Sequence, residues 1–151
     1  MGIATAITPY DTDFVEWTAR TAQLLRAGRM GEVDVEHLAE EIEDLGKRDR
    51  AAVHSQTIRL LLQQIKRRIQ PERETASWRR SIVNSQERIA HSLKDSPSLR
   101  RFLERELTGL YIRAVRGALF ETGMKSAPLP ERCPFTLHQL LEEFDLELPS
   151  E

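Results

Sequence analysis

Glu40 and Glu43, and likewise Glu41 and Asp44, stand three residues apart, a spacing that brings side chains to one side of a helix. Carboxylates so placed can share a divalent cation, Mg²⁺ or Mn²⁺, and a cation so held would act as a Lewis acid on a phosphate ester. Helical enzymes that cleave pyrophosphates face one such pair with a second on a neighbouring helix. Here both pairs crowd onto one helix, and the only other Glu-x-x-Asp is Glu142 to Asp145 near the C-terminus. The plainer reading of Glu40, Glu41 and Asp44 is a solvated face that pairs with Arg or Lys on a neighbour.

A basic counterpart runs from Arg59 to Arg80, where Arg59, Lys66, Arg67, Arg68, Arg73, Arg79 and Arg80 meet only Glu72 and Glu74. Arg79 or Arg80 could hold a phosphate, and Trp78 beside them could stack a base. Trp78 also falls on an apolar stripe, which takes the aromatic away from an exposed patch. Acidic helix and basic segment are thereby expected to neutralise each other, within a bundle or across a dimer interface, with Arg59, Arg67, Arg79 and Arg80 on the basic side. The Ile58 to Ile69 stretch also has the pattern of a membrane-surface helix, but it lacks an aromatic anchor and its aliphatics are needed for a core. The four histidines, His37, His54, His91 and His138, form no constellation, and His54 lies on an apolar stripe. Cys133 stands between Arg132 and Pro134 with no base identified beside it, which favours an incidental thiol over a nucleophile.

The elements that must position these groups are all helical. Asp11 and Asp13 precede Phe14, Trp17, Thr21 and Leu25, which line one helical stripe ended by Gly28. Asp34 can cap a second helix with apolar positions Val35, Leu38, Ile42 and Leu45. Between Glu32 and Asp44 there are seven carboxylates and no Lys or Arg. Beyond Gly46 the apolar phase changes to Ala51, His54, Ile58, Leu61 or Leu62, Ile65 and Ile69, which predicts a break or kink near Gly46 to Arg50. Pro71 stops that segment. Trp78, Ile82, Ser85, Ile89 and Leu93 make a buried seam on the next helix. Ser96 and Pro97 read as N-cap and N1 of another, with Leu99, Phe102, Leu103, Leu107, Leu110, Ala114 and Ala118 on its apolar face. Gly109 and Gly117 within it suggest close packing against a neighbour, and Gly123 ends it. Pro128, Pro130 and Pro134 make a strap. Thr136 and Gln139 form a capping box, with a staple from Phe135 to Leu140, for a short terminal helix.

The fold expected is therefore an all-α, up-and-down bundle of about five helices, residues 8–125, closed by an extended strap and docking helix over 126–151. One domain is the default for 151 residues. Charged residues at 30% and aromatics at 6% suit a slender bundle that dimerisation would thicken. A net charge of −2 gives no whole-chain field for nucleic acid or membrane. The N-terminal residues lack a signal-peptide pattern, Ala6 breaks the myristoylation motif, and one cysteine allows no internal disulfide, all of which points to the cytoplasm.

Certain motifs resemble a known family of bacterial proteins, the domain of unknown function numbered twenty-nine. They are Tyr10-Asp11-Thr12-Asp13-Phe14 with Trp17, Leu24-Leu25-Arg26-Ala27-Gly28, and Leu38-Ala39-Glu40-Glu41-Ile42-Glu43-Asp44-Leu45-Gly46. Ser77-Trp78, Asp95-Ser96-Pro97-Ser98-Leu99 and Cys133-Pro134-Phe135-Thr136-Leu137 complete the set. The resemblance implies an all-helical domain and carries no activity. Where similar sequences have His followed by Leu, this chain has Gln63-Gln64, so a site built on that His would be missing here.

Two classes of function follow. In the first, the chain is an interaction module without a cofactor that dimerises or docks on a protein through its acidic and basic faces. In the second, Glu40, Glu41, Glu43 and Asp44 hold Mg²⁺ or Mn²⁺ in an enzyme acting on nucleotides or phosphate esters. Nucleic-acid binding through Arg59 to Arg80 is third.

Overall fold

All but one of the α-helices begin where a short polar side chain can satisfy the first free N–H groups. In the computed structural model, which describes residues 8–144 and Leu146, Thr8 caps a single turn, α1 (Pro9–Thr12), and Asp13 caps α2 (Phe14–Arg26) by accepting from the Glu16 N–H at 3.0 Å. Gly28, at φ +70°, turns the chain out of α2 as expected of a left-handed residue without a Cβ. A 3₁₀ turn, Met30–Glu32, leads to Asp34, whose carboxylate accepts from the His37 N–H at the start of α3 (Val35–Ile69).

α3 is one continuous helix of 35 residues. The expected break near Gly46 to Arg50 is absent. The apolar phase shift marks a change in what the helix packs against: the contacts divide the chain after Lys47, so the two parts of α3 serve two compact units, Met1–Lys47 and Arg48–Glu151. One central glycine costs a helix about 1 kcal/mol, too little to break it.

In the first unit Trp17, Thr21, Leu24 and Val33 are buried. Tyr10 meets Trp17 edge-on with ring centroids 5.0 Å apart, and Phe14 lies against the same indole at 5.9 Å. The stripe expected to bury the second helix behaves otherwise. Val35, Ile42 and Leu45 are 62%, 59% and 60% exposed, and Phe14 and Leu25 also face solvent.

The second unit follows the sequence reading closely. After a 3₁₀ turn, Pro71–Arg73, Thr75 caps α4 (Ala76–Asp95), whose seam of Ile82, Ser85, Ile89 and Leu93 is buried, with Trp78 half-buried at its head. α5 (Ser98–Thr122) starts one residue later than expected: Pro97 already has helical dihedrals, and no side chain caps the end. Leu99, Leu103, Leu110, Tyr111, Ala114 and Ala118 on α5 join Val53, Leu60, Leu61 and Ile65 of α3 in one apolar core. Gly117 explains itself, since a Cβ there would stand 2.8 Å from Leu62 Cδ1; Gly109 faces open space, so close packing is not its reason. Gly123, at φ +70°, ends α5. The proline-rich strap is held where Tyr111 Oη donates to the Pro130 carbonyl at 2.7 Å. α6 (Leu137–Glu142) opens with the expected Thr136–Gln139 capping box and buries Leu137, Leu140 and Leu141. All regular elements among the described residues are helical, and none of these helices is long and apolar enough to cross a membrane.

Candidate functional site

The acidic helix is partly spent on its own unit. Tyr10 Oη donates to Glu41 Oε1 at 2.5 Å, and the Tyr10 ring stacks on His37, centroids 4.0 Å apart at 14°. The hydrogen bond to Glu41, then burial and the nearby carboxylates of Glu41, Glu40 and Asp44, push the Tyr10 hydroxyl up to about 12. His37 Nδ1 lies 2.6 Å from Asp34 Oδ2; that hydrogen bond raises the imidazole pKa and lowers that of the Asp34 carboxyl. Asp44 reaches Lys47 at 3.7 Å. Glu40 and Glu43 remain exposed. Among the described residues no three Asp, Glu, His or Cys side chains converge as a metal ion requires. Asp145, the end of the second carboxylate pair, lies outside the described residues, as do Met1 to Ile7, where the leader and myristoylation readings fall.

Part of the basic segment is also structural. Lys66, 9% exposed, bonds Glu121 at 2.9 Å and sits 4.2 Å from the Trp78 ring centroid, a cation–π contact that ties α3 to α4 and α5. Arg67 donates to Glu74 at 2.8 Å and to the Phe144 carbonyl at 2.9 Å, while its guanidinium stacks over the Phe144 ring. Arg79 adds a second cation 5.3 Å from that ring. Gln64, where the family resemblance points to the neighbourhood of a histidine, is 1% exposed and donates to the same Phe144 carbonyl. These residues anchor the C-terminal strap on α3 and α4.

Arg59 and Arg80 stand apart from that hub. They line a cleft of about 220 Å³ between α3 and α4, together with Arg88. The α4 wall is a ladder at helical spacing, Ser77, Arg80 with Ser81, Asn84 and Arg88, with Ser85 buried beneath it. Gln56 and Arg59 form the α3 wall. Among the described residues, none of the three guanidiniums has a carboxylate within ion-pair reach. Unpaired guanidiniums supply planar, forked donors suited to an oxyanion. The α3 side is also poorly satisfied: among the described residues the buried amide oxygens of Gln56 and Gln63 have no partner, each a cost of about 1–3 kcal/mol that an aliphatic would avoid.

The structure thus separates residues that the sequence reading grouped. Arg59 and Arg80 share the cleft, Arg67 and Arg79 share Phe144, and Glu40, Glu41 and Asp44 belong to the other unit. Arg88, Ser77, Ser81 and Asn84 were missed. Their signal is a polar stripe at helical spacing on α4 beside the Ile82 seam, of which the cluster of charge from Arg59 to Arg80 includes only the first part.

The chain matches the model of the domain of unknown function DUF29 over residues 9–145 and belongs to that family. No significant match is found among curated proteins or solved structures.

Proposed function

We propose that this protein is an interaction module that associates with a second copy of itself, the acidic, apolar face of α3 in one protomer docking on a basic, apolar face of α5 in the other. The observation that carries this reading is the exposure of Val35, Ile42 and Leu45 on a helix whose adjoining exposed side carries Glu36 and Glu43. A stripe of large aliphatics left in water marks a surface that association covers. Self-pairing of this face would set carboxylate against carboxylate, so its complement must be basic.

α5 offers that complement. Arg101, Arg105, Ile112, Arg116 and Phe120 follow one another along its exposed side, with Arg113 beside them and Glu106 at the margin. Ile112 is 42% and Phe120 88% exposed, so this face too presents apolar groups, among arginines with Glu104 and Glu106 at its two margins. Two such contacts related by a two-fold axis close a dimer, each protomer giving one acidic and one basic face. This refines the basic side expected from the sequence: Arg67 is committed to Glu74 and Phe144, whereas the exposed α5 arginines have no carboxylate in ion-pair reach among the described residues.

Light scattering coupled to size-exclusion chromatography tests it. The wild type is expected as a dimer, and Glu36→Lys with Glu43→Lys, or Arg105→Glu with Arg116→Glu, as monomers. Mixing the two double variants should restore a dimer, because each reversed face then meets its reversed complement. A wild type that stays monomeric at high concentration, or variants that remain apart when mixed, would overturn the reading.

A further inference from the structure

We infer that the cleft between α3 and α4 is a binding site for a compact phosphate group, held by Arg59, Arg80 and Arg88. The site shares no residue with the proposed dimer faces, so it stands or falls separately. Three guanidiniums on two facing helices, free of carboxylate partners among the described residues, leave a local excess of positive charge. Ser81 and Asn84 lie between Arg80 and Arg88 on the same wall, Ser77 lies one turn before Arg80, and all three add neutral hydrogen-bonding groups at about the spacing of one helical turn. A cleft of about 220 Å³ has room for a phosphoryl group.

The ends of the cleft decide between a compact anion and a long one. Beyond Gln56 and Arg88 the groove continues past Glu87 and His91. Beyond Arg59 and Ser81 it continues past Glu121. A nucleic-acid backbone laid along the groove would carry a next phosphate towards the Glu87 carboxylate at one end, a repulsive arrangement, and at the other towards Glu121, which already holds Lys66 at 2.9 Å. A single phosphate sits between those limits. The remainder of a phosphate ester can leave sideways over Val83 and Phe144, where a cavity of about 380 Å³ shares Arg80 and Asn84 with the central site. A phosphate monoester also carries more charge than a diester and so gains more from three arginines.

The test is an amide and arginine side-chain NMR titration of the full chain at fixed ionic strength, with inorganic phosphate, ribose 5-phosphate and an oligothymidylate as separate probes. Saturable shifts confined to Gln56–Gln63 of α3 and Ser77–Arg88 of α4 are expected with phosphate and with ribose 5-phosphate. Tighter binding of the ester identifies the Val83–Phe144 side as part of the site; equal binding identifies the anion alone as the ligand. Arg80→Gln and Arg88→Gln should each weaken binding about tenfold, and Arg80→Lys, which keeps charge but loses the fork, by less. Both positions are exposed, and an unchanged spectrum outside the cleft verifies folding. Absence of saturable shifts, indifference to both glutamine variants, or tighter binding of the oligothymidylate would each overturn the inference.

Discussion

The two compact units of this chain are held together by different physics, although one helix contributes to both. In Arg48–Glu151 the stripes on α3, α4 and α5 bury Leu60, Leu61, Ile82, Ile89 and Leu103 to complete exclusion of solvent. Among the described residues of Met1–Lys47 only Trp17, Leu24 and Val33 are buried apolar residues, and Tyr10 adds aromatic and polar packing against Trp17, His37 and Glu41. A described unit of about 40 residues lies near the size at which a core alone stops sufficing. Sequence amphipathicity therefore has two meanings here: in the second unit it fills a core, whereas in the first Val35, Ile42 and Leu45 remain outside it.

The largest effect should come from the second unit. Leu103→Ala removes a fully buried side chain and is expected to cost about 2–5 kcal/mol, lowering the main thermal transition followed by circular dichroism. Trp17→Ala should reach less far. It is expected to abolish hydrogen-exchange protection in α2 while α4 and α5 keep theirs, because the small first unit can open by itself. Equal loss of protection in α4 and α5 would show one cooperative core and break the comparison.

The same contrast explains what the sequence made legible. The seam from Ile82 to Leu93, the α5 face, the capping box at Thr136 and the Asp13 and Asp34 caps were readable because local periodicity and capping chemistry coincide with their packing. The continuity of α3 was not, since a phase shift looks alike whether the helix breaks or changes what it packs against. The exposure of Ile42 and Leu45 was hidden for a related reason: an apolar stripe records that something covers it, and the covering surface can belong to another molecule. At the candidate site, Arg59 and Arg80 were legible as charge, but their separation from Arg67 and Arg79 depends on Phe144, 77 residues beyond Arg67 in the chain.

Glycine substitutions give smaller and sharper tests. Gly46→Ala lies in open space on the first unit's part of α3, and Gly109→Ala in open space on α5; each should stabilise its own unit by about 0.5–1 kcal/mol. Gly117→Ala brings a Cβ to 2.8 Å from Leu62 Cδ1, so the shift forced on Leu62 should cancel that gain. Urea midpoints for Gly109→Ala and Gly117→Ala, with exchange protection around residue 46 for Gly46→Ala, measure all three. A gain at Gly117 equal to that at Gly109 would mean the α3–α5 packing is looser than the apolar core implies.

The smallest expected effect is a pH dependence confined to the first unit. His37 has a raised pKa in the fold because of its hydrogen bond to Asp34, so its contribution is complete below the ordinary histidine value of about 6.5 and is lost as pH rises through the raised value. Asp34 is lowered by the same contact, so its contribution is present above the ordinary carboxylate value and is lost as pH falls through the lowered one. Protection of α2 and the start of α3 should therefore be greatest between those two limits and decline towards alkaline pH. Tyr10, pushed up to about 12, keeps its proton across this range and continues to donate to Glu41. Exchange rates corrected for intrinsic pH dependence should show the alkaline decline in the wild type and a flatter profile in His37→Gln, with α4 and α5 unaffected in both. A decline that survives His37→Gln would place the titrating contact elsewhere, and one shared by α4 and α5 would show the two units responding as one.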